Sequence, residues 1–378
     1  MRALLAGVAG GLSGAGAARA VVTAALAQMF AAEEILLTDS GTGALTLGIR
    51  ACLRRFRGAS VALPAYGCYD LATAADGAGV PVVLYDVEPE ALSPDLASLR
   101  RALASGARAV VLAYLYGVPV DPGPTRDAVH ASGAMLIEDA AQGAGAEWQG
   151  LPLGSFGDLT VLSFGRGKGR TAGRGGALLA RGADAAVQIA AASAEAGPAR
   201  SGLTDLAPLA AQWLLGRPSL YGVPSSLPFL QLGETVYHAP GAVRLMSEVA
   251  VSTLTRTLPL GEREARVRLT NAARLLARGG RDLAPVAVPP GGKPGYLRLP
   301  FLATPRIRER AGSSAARALG IMPGYPRALC DLSGFAERVV NGGDAFPGAR
   351  ALAGQLITLP THSLLRDADL QRIETWLG

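Results

Sequence analysis

The segment Leu136-Ile137-Glu138-Asp139-Ala140-Ala141-Gln142, followed after a spacer by Val161-Leu162-Ser163-Phe164-Gly165-Arg166-Gly167-Lys168-Gly169-Arg170, organises this chain of 378 residues. The apolar run Ala134-Met135-Leu136-Ile137 reads as a buried strand. Open α/β sheets bind ligands beyond the carboxyl ends of such strands, and this strand delivers Glu138-Asp139 there. Downstream, six glycines between Gly165 and Gly176 let backbone approach a bound group closely. Lys168 sits among them, flanked by Arg166 and Arg170. Only two of the chain's 36 Lys and Arg residues are lysines, the other being Lys293. A guanidinium stays protonated in a protein, whereas an amine can lose its proton and act as a nucleophile.

Taken singly, each feature has an ordinary reading. Lys168 can be a solvated loop lysine, Asp139 the N-cap of a short helix, and the glycines turn punctuation. Their ordered combination points elsewhere. A carboxylate at a strand end and a lone lysine on a Gly-rich loop are what pyridoxal 5'-phosphate (PLP) requires: a Schiff-base amine and a partner for the pyridinium nitrogen.

The length allows roughly two domains with a sizeable core. A formal net charge of +6 suits an anionic cofactor or substrate. The basic residues are scattered and only 5% of residues are aromatic, with no zinc-finger or RNA-binding signature, so nucleic acid is not expected as a partner. Cys52, Cys68 and Cys330 are an odd set at unrelated spacings, which argues for a reducing compartment, and the protein is read as cytoplasmic. His130, His238 and His362 show no metal-ligand spacing. The Ala/Leu/Gly-rich start resembles a signal peptide only superficially, because glycines dilute it and the apolar pattern runs on past Arg19 into a helix.

Ile35 to Thr38 reads as a strand that turns through Ser40-Gly41-Thr42-Gly43 into a helix, an arrangement that offers free N–H groups to a phosphate. Further strands are expected at Ser60–Leu63, Val80–Tyr85 and Ala109–Ala113, with helices at Pro94–Leu103 and ending near Ala131. Strands alternating with such helices predict a mostly parallel sheet. Pro64 to Asp70 reads as a loop whose aromatics either stack on a flat ring or belong to the core. Arg244 to Gly279 reads as a long helix or helix pair, and the remainder as a smaller α+β domain, dividing the chain into 1–245 and 246–378. The apolar, Pro-interrupted stretch 203–232 has three readings: a buried connection, an interface, or a weak membrane contact.

These motifs in register resemble the DegT/StrS family of PLP-dependent aminotransferases, best known for aminating keto nucleotide sugars. The likeness is carried by Ser40-Gly41-Thr42 with Ala44-Leu45, Pro64-Ala65-Tyr66, Tyr85-Asp86-Val87-Glu88-Pro89 and Leu115-Tyr116-Gly117. It continues through Glu138-Asp139-Ala140-Ala141-Gln142, Ser163-Phe164 with Lys168, and Leu359-Pro360-Thr361-His362. The resemblance implies a fold-type I architecture: a mixed, mostly parallel seven-stranded sheet plus a smaller C-terminal α+β domain, working as a homodimer. It implies Lys168 as the cofactor-binding amine and proton shuttle, Asp139 on the pyridine nitrogen, and Gln142 on the ring hydroxyl. Ser163, Gly41 and Thr42 would hold the phosphate. Amino donor and keto acceptor would be glutamate or glutamine and a keto sugar.

Several positions depart from the family pattern. The residue after the lysine is Gly169 rather than Asn, the G-E-G-G motif reads Gly173-Arg174-Gly175-Gly176, and Cys68 stands at the ring-stacking position, leaving Tyr66 and Tyr69 as substitutes. Ala242 replaces an Asn that reaches the neighbouring subunit's phosphate, with Arg166, Arg170 and Arg174 as stand-ins. Two alternatives follow: an aminotransferase for a non-sugar or lipid-linked ketone, and a non-catalytic regulator that kept the fold. Relatives that dehydrate keto sugars carry His where this chain has Lys168.

Overall fold

The computed structural model describes residues 16–200, 202 and 236–378. The stretch 203–232 and the glycine-diluted start at 1–15 lie outside the described residues.

Period-two burial explains the large sheet. In β2 (Ser60–Pro64), β4 (Ala107–Ala113) and β6 (Leu159–Ser163), successive apolar side chains enter two different cores, so both faces are covered and the strands read as unbroken apolar runs. With β1 (Glu34–Thr38), β3 (Val82–Tyr85), β5 (Met135–Asp139) and β7 (Gly176–Ala180) they form a seven-stranded sheet in the order β1-β7-β6-β5-β4-β2-β3. β7 is antiparallel to both its neighbours, and the remaining pairings are parallel. This is the α/β architecture the sequence led us to expect.

Helices α1 (Gly16–Phe30), α2 (Gly41–Leu53), α3 (Tyr69–Ala78), α4 (Leu96–Ala104), α5 (Gly123–Ala131) and α6 (Ala185–Glu195) belong to this unit. The stretch 244–279 is a helix pair, α7 (Glu248–Thr257) and α8 (Gly261–Leu276), interrupted by a turn containing Pro259. α7 packs on α1, and Arg19 reaches Glu248 at 2.7 Å. Beyond α8, strands β8 (Leu283–Pro285), β9 (Leu299–Ala303), β10 (Met322–Pro323) and β11 (Leu356–Leu359) form an antiparallel sheet in the order β8-β9-β11-β10. Helices α9 (Pro305–Ala311), α10 (Ser314–Ala318), α11 (Pro347–Gln355) and α12 (Asp367–Leu377) complete this smaller unit.

One core joins the two units, since Val61 and Val111 of the large sheet share a cluster with Phe301 and Leu356 of the small one. Asp86 strengthens the junction by accepting the Gly348 and Ala349 N–H groups at the start of α11. A carboxylate at a helix N-terminus satisfies donors that the helix leaves free. Among the described residues no helix is long and apolar enough to cross a membrane.

Candidate active site

The carboxyl edge of the large sheet gathers the residues singled out above. Asp139 ends β5, level with Ala113 of β4 and Val161 of β6. The residues after it form a turn, not the helix that an N-cap reading of Asp139 requires. The Ala141 N–H donates to its Oδ1 at 3.0 Å. Burial pushes the Asp139 carboxyl above the ordinary value, while the Ala141 N–H and the charge of Lys168 pull it back and Asp70 adds to the rise. Lys168 is half-buried on its loop, and its charge also acts on Cys68.

Gln142 is buried in the turn after Asp139. Its Oε1 accepts the Tyr116 N–H at 3.0 Å and its Nε2 donates to the Tyr325 hydroxyl at 2.9 Å. An amide has two donors and two acceptor sites, so one of each remains for a ligand. Tyr116 turns this N–H inward by adopting φ 58°. Tyr325, from the smaller unit, stacks on Tyr116 at 5.8 Å and meets Tyr66 edge-on at 5.7 Å.

The structure separates two readings of the 64–70 segment. Tyr66 is fully buried, and its hydroxyl is 2.4 Å from where a Cβ on Gly324 would stand, so it forms part of the wall behind Tyr325. The loop ends earlier than the sequence suggests, because α3 begins at Tyr69 with Cys68 as its N-cap. Cys68 is only partly exposed, and its Sγ lies 3.5 Å from Asp70 Oδ2. Burial and the Asp70 charge push this thiol up to about 12, against the pull of Lys168.

A second feature lies at the start of α2. Ser40 caps this helix by accepting the Gly43 N–H at 3.0 Å, which leaves the Gly41 and Thr42 N–H groups without helical partners. Gly41 packs so closely on β6 that a Cβ there would stand 2.9 Å from the Ser163 Cβ and 3.2 Å from its Oγ. Free N–H groups, a positive dipole end and a hydroxyl thus converge, an arrangement that takes a phosphate. Ser163, Lys168 and Arg170 line one cavity with Ala140 and Ala141. Of the arginines considered as phosphate partners, Arg170 lies in this cavity, Arg166 is exposed, and Arg174 lies beside Asp39. Tyr325 carried no sequence signal, since it reaches Gln142 across a separation of 183 residues.

Comparison with known proteins places this geometry in context. The L-glutamine:2-deoxy-scyllo-inosose aminotransferase of Streptoalloteichus tenebrarius is 29% identical over 257 residues, covering 67% of this chain and 54% of that protein. The dTDP-4-dehydro-2,3,6-trideoxy-D-glucose 4-aminotransferase of Saccharopolyspora spinosa is 34% identical over 148 residues, covering 39% of this chain and 38% of that protein. The chain therefore spans about half the length of the first of these relatives and less of the second. Among solved structures, the fold matches Spr1654 from Streptococcus pneumoniae in its PLP form with a TM-score of 0.79 at 18% identity, over 100% of this chain and 95% of that one. The model of one family matches residues 9–200, half of the chain and all of the motifs from Ser40 to Lys168, and on that match the chain belongs to the DegT/DnrJ/EryC1/StrS aminotransferase family.

Proposed function

We propose that this protein is a PLP-dependent aminotransferase that moves an amino group from glutamate or glutamine to a cyclic, polyhydroxylated ketone of the keto-sugar class. The observation that carries this reading is the meeting of Lys168 and the partly buried Asp139 at one sheet edge, beside Ser163 and the N–H groups that α2 leaves without helical partners. The phosphate cradle and the ring partner thus suit the two ends of one small cofactor, and the relatives' donor and acceptors suit its chemistry.

Bound PLP supplies an electron-withdrawing ring conjugated to the carbon under attack. In our reading the Lys168 amine would hold the cofactor and would take up and return the proton at the donor's Cα. Asp139 would keep a proton on the pyridine nitrogen, since a partly buried carboxylate short of donors favours a cationic neighbour. Gln142 offers its remaining N–H to the ring hydroxyl. Gly41, Thr42 and Ser163 fix the phosphate, with Arg170 as an added positive charge. The same reading includes a homodimer, a cytoplasmic location and the division at 245/246.

The experiment is an absorbance spectrum of the PLP-treated protein before and after L-glutamate, followed by borohydride reduction and peptide mapping. A yellow band lost on adding glutamate, with the cofactor fixed to Lys168, is the expected result. Lys168→Arg should lower turnover by about 10⁴-fold or more, because guanidinium cannot replace the nucleophilic amine. Retained turnover in that variant, or a wild-type protein that takes up no PLP, would sink the assignment.

A further inference from the structure

Beside the Lys168 loop lies a set of cationic and ionisable groups whose central member, Arg268, has no part in the sequence motifs or in the roles proposed above. α8 crosses the loop so closely that a Cβ on Gly169 would stand 2.6 Å from Arg268 Nη1 and 3.1 Å from Nη2. Gly169 has φ +81° and is the residue at which the family's usual Asn is missing. A side chain at this point would occupy the guanidinium's place.

Arg268 is 5% exposed, its Nε is buried without a partner, and its guanidinium makes no hydrogen bond within the described residues. Buried arginines ordinarily have their donors satisfied, because an uncompensated buried charge is costly. Two further cationic or ionisable groups adjoin it. Arg170 has an unpartnered buried Nε, lies against Gly261 at the start of α8, and lines the cavity that contains Lys168. His362, in the Leu359-Pro360-Thr361-His362 motif, has a buried, unpartnered Nδ1, and Asn271 on α8 holds the motif by donating to the Thr361 carbonyl at 2.9 Å. Arg298 faces His362 but is engaged by Thr358 and the Gly320 carbonyl. Of the acids, Glu264 acts on Arg268 and Glu262 on Arg170, and Glu264 already accepts the Ser363 hydroxyl.

Burial lowers the proton affinity of Arg268, Arg170 and His362, and Arg268 lowers that of the other two further. An anion seated among them would relieve that repulsion and satisfy the orphaned donors. The position selects the anion. Arg268 abuts Gly169, the residue after Lys168, which favours a ligand whose anionic group is one carbon from its amine. An α-amino acid has that spacing, whereas the phosphate of a nucleotide sugar is several bonds from its ketone.

We propose that Arg268, with Arg170 beside it, forms the subsite for the α-carboxylate of the amino-acid donor, and that Gly169 keeps it open. This rests on the aminotransferase reading and adds the group that recognises the donor. Arg268→Met is the primary variant, Gly169→Asn the second, since Asn tolerates positive φ but its side chain would displace the guanidinium. The PLP-treated proteins are compared in calorimetric binding of glutarate, which carries carboxylates and no amine, and in the absorbance-monitored half-reaction with L-glutamine.

Both variants should weaken glutarate binding and slow the donor half-reaction at low donor concentration by about 10- to 100-fold. The half-reaction of Arg268→Met with ethanolamine, an amine without a carboxylate, should be unchanged, and this variant should melt no lower than wild type because it removes a buried, unpaired charge. An active wild type whose Arg268→Met variant matches it with glutamine and glutarate would overturn the subsite and leave the aminotransferase standing. Loss of dTDP binding in place of glutarate binding would also overturn it, assigning the cations to the acceptor. A wild type that binds glutarate through Arg268 yet shows no donor half-reaction would instead overturn the aminotransferase reading.

Discussion

Glu138 and Asp139 are adjacent carboxylates on β5, and their surroundings are opposite. Glu138 shares a face with Leu136, has no exposed surface, and accepts the Tyr114 hydroxyl together with the N–H groups of Gly154, Phe156 and Gly157. Asp139, on the other face with Ile137, accepts the Ala141 N–H alone among the described side-chain bonds. Burial raises both carboxyls, but around Glu138 the pull back comes from Tyr114, two backbone N–H groups and Arg181, while around Asp139 it comes from one N–H and Lys168. The saturated carboxylate is a pin for the 154–157 turn. The unsaturated one is available to a ligand. Hydrogen-bond saturation, together with burial, separates the two carboxylates at this strand end.

Removing the pin should have the largest effect. Glu138→Ala leaves three backbone donors and a tyrosine hydroxyl facing a void, and the Arg181 charge loses its counter-charge. The expected loss is about 3–5 kcal/mol, the range for breaking one partner out of a buried charged network, read as a lower urea midpoint or as insoluble protein. A soluble variant of wild-type stability would erase the distinction between the two carboxylates.

Asp139→Asn should separate stability from function. An Asn side chain can still accept the Ala141 N–H, so the fold should persist while the donor half-reaction falls by about 10²–10³-fold, the loss typical of one electrostatic catalytic group. The sign of the stability change follows from proton linkage. A carboxyl whose folded value is raised binds more protons folded than unfolded, so it costs stability as pH climbs from its ordinary 3.8 through the raised value. At neutral pH the variant without cofactor should therefore be at least as stable as wild type, and its advantage should vanish under acid. A variant that is less stable at neutral pH would mean that Asp139, like Glu138, is scaffold.

The sequence made much of this edge readable, for physical reasons. A parallel sheet buried on both faces writes its strands as apolar runs, and the turn into α2 that we propose holds a phosphate is written in Ser and Gly, so both leave local marks. The saturation of Glu138 leaves none, because its donors come from the 154–157 turn and from Tyr114, just past the end of β4. Cys68 and Tyr66 looked equivalent as loop residues, yet the early start of α3 and the approach of Gly324 put them in different environments. Arg268 was one arginine among many on an amphipathic helix. Its significance depends on the missing Cβ of Gly169, a contact between segments far apart in the chain.

The smallest effect concerns the roof over this edge, where Gln142 is held between the Tyr116 N–H and the Tyr325 hydroxyl. Tyr325→Phe keeps the ring that stacks on Tyr116 and removes only the hydroxyl. The loss of one such bond costs about 1 kcal/mol, so cofactor release should quicken by less than about tenfold. If Tyr325 acts by orienting Gln142, the effect of Gln142→Ala should shrink when Tyr325 is already Phe, and a double-mutant cycle would return a coupling of about 0.5 kcal/mol or more. Strict additivity would mean that Tyr325 merely packs. Gln142 would then belong, with Asp139, to the under-bonded side of the strand end, its orientation fixed by Tyr116 alone.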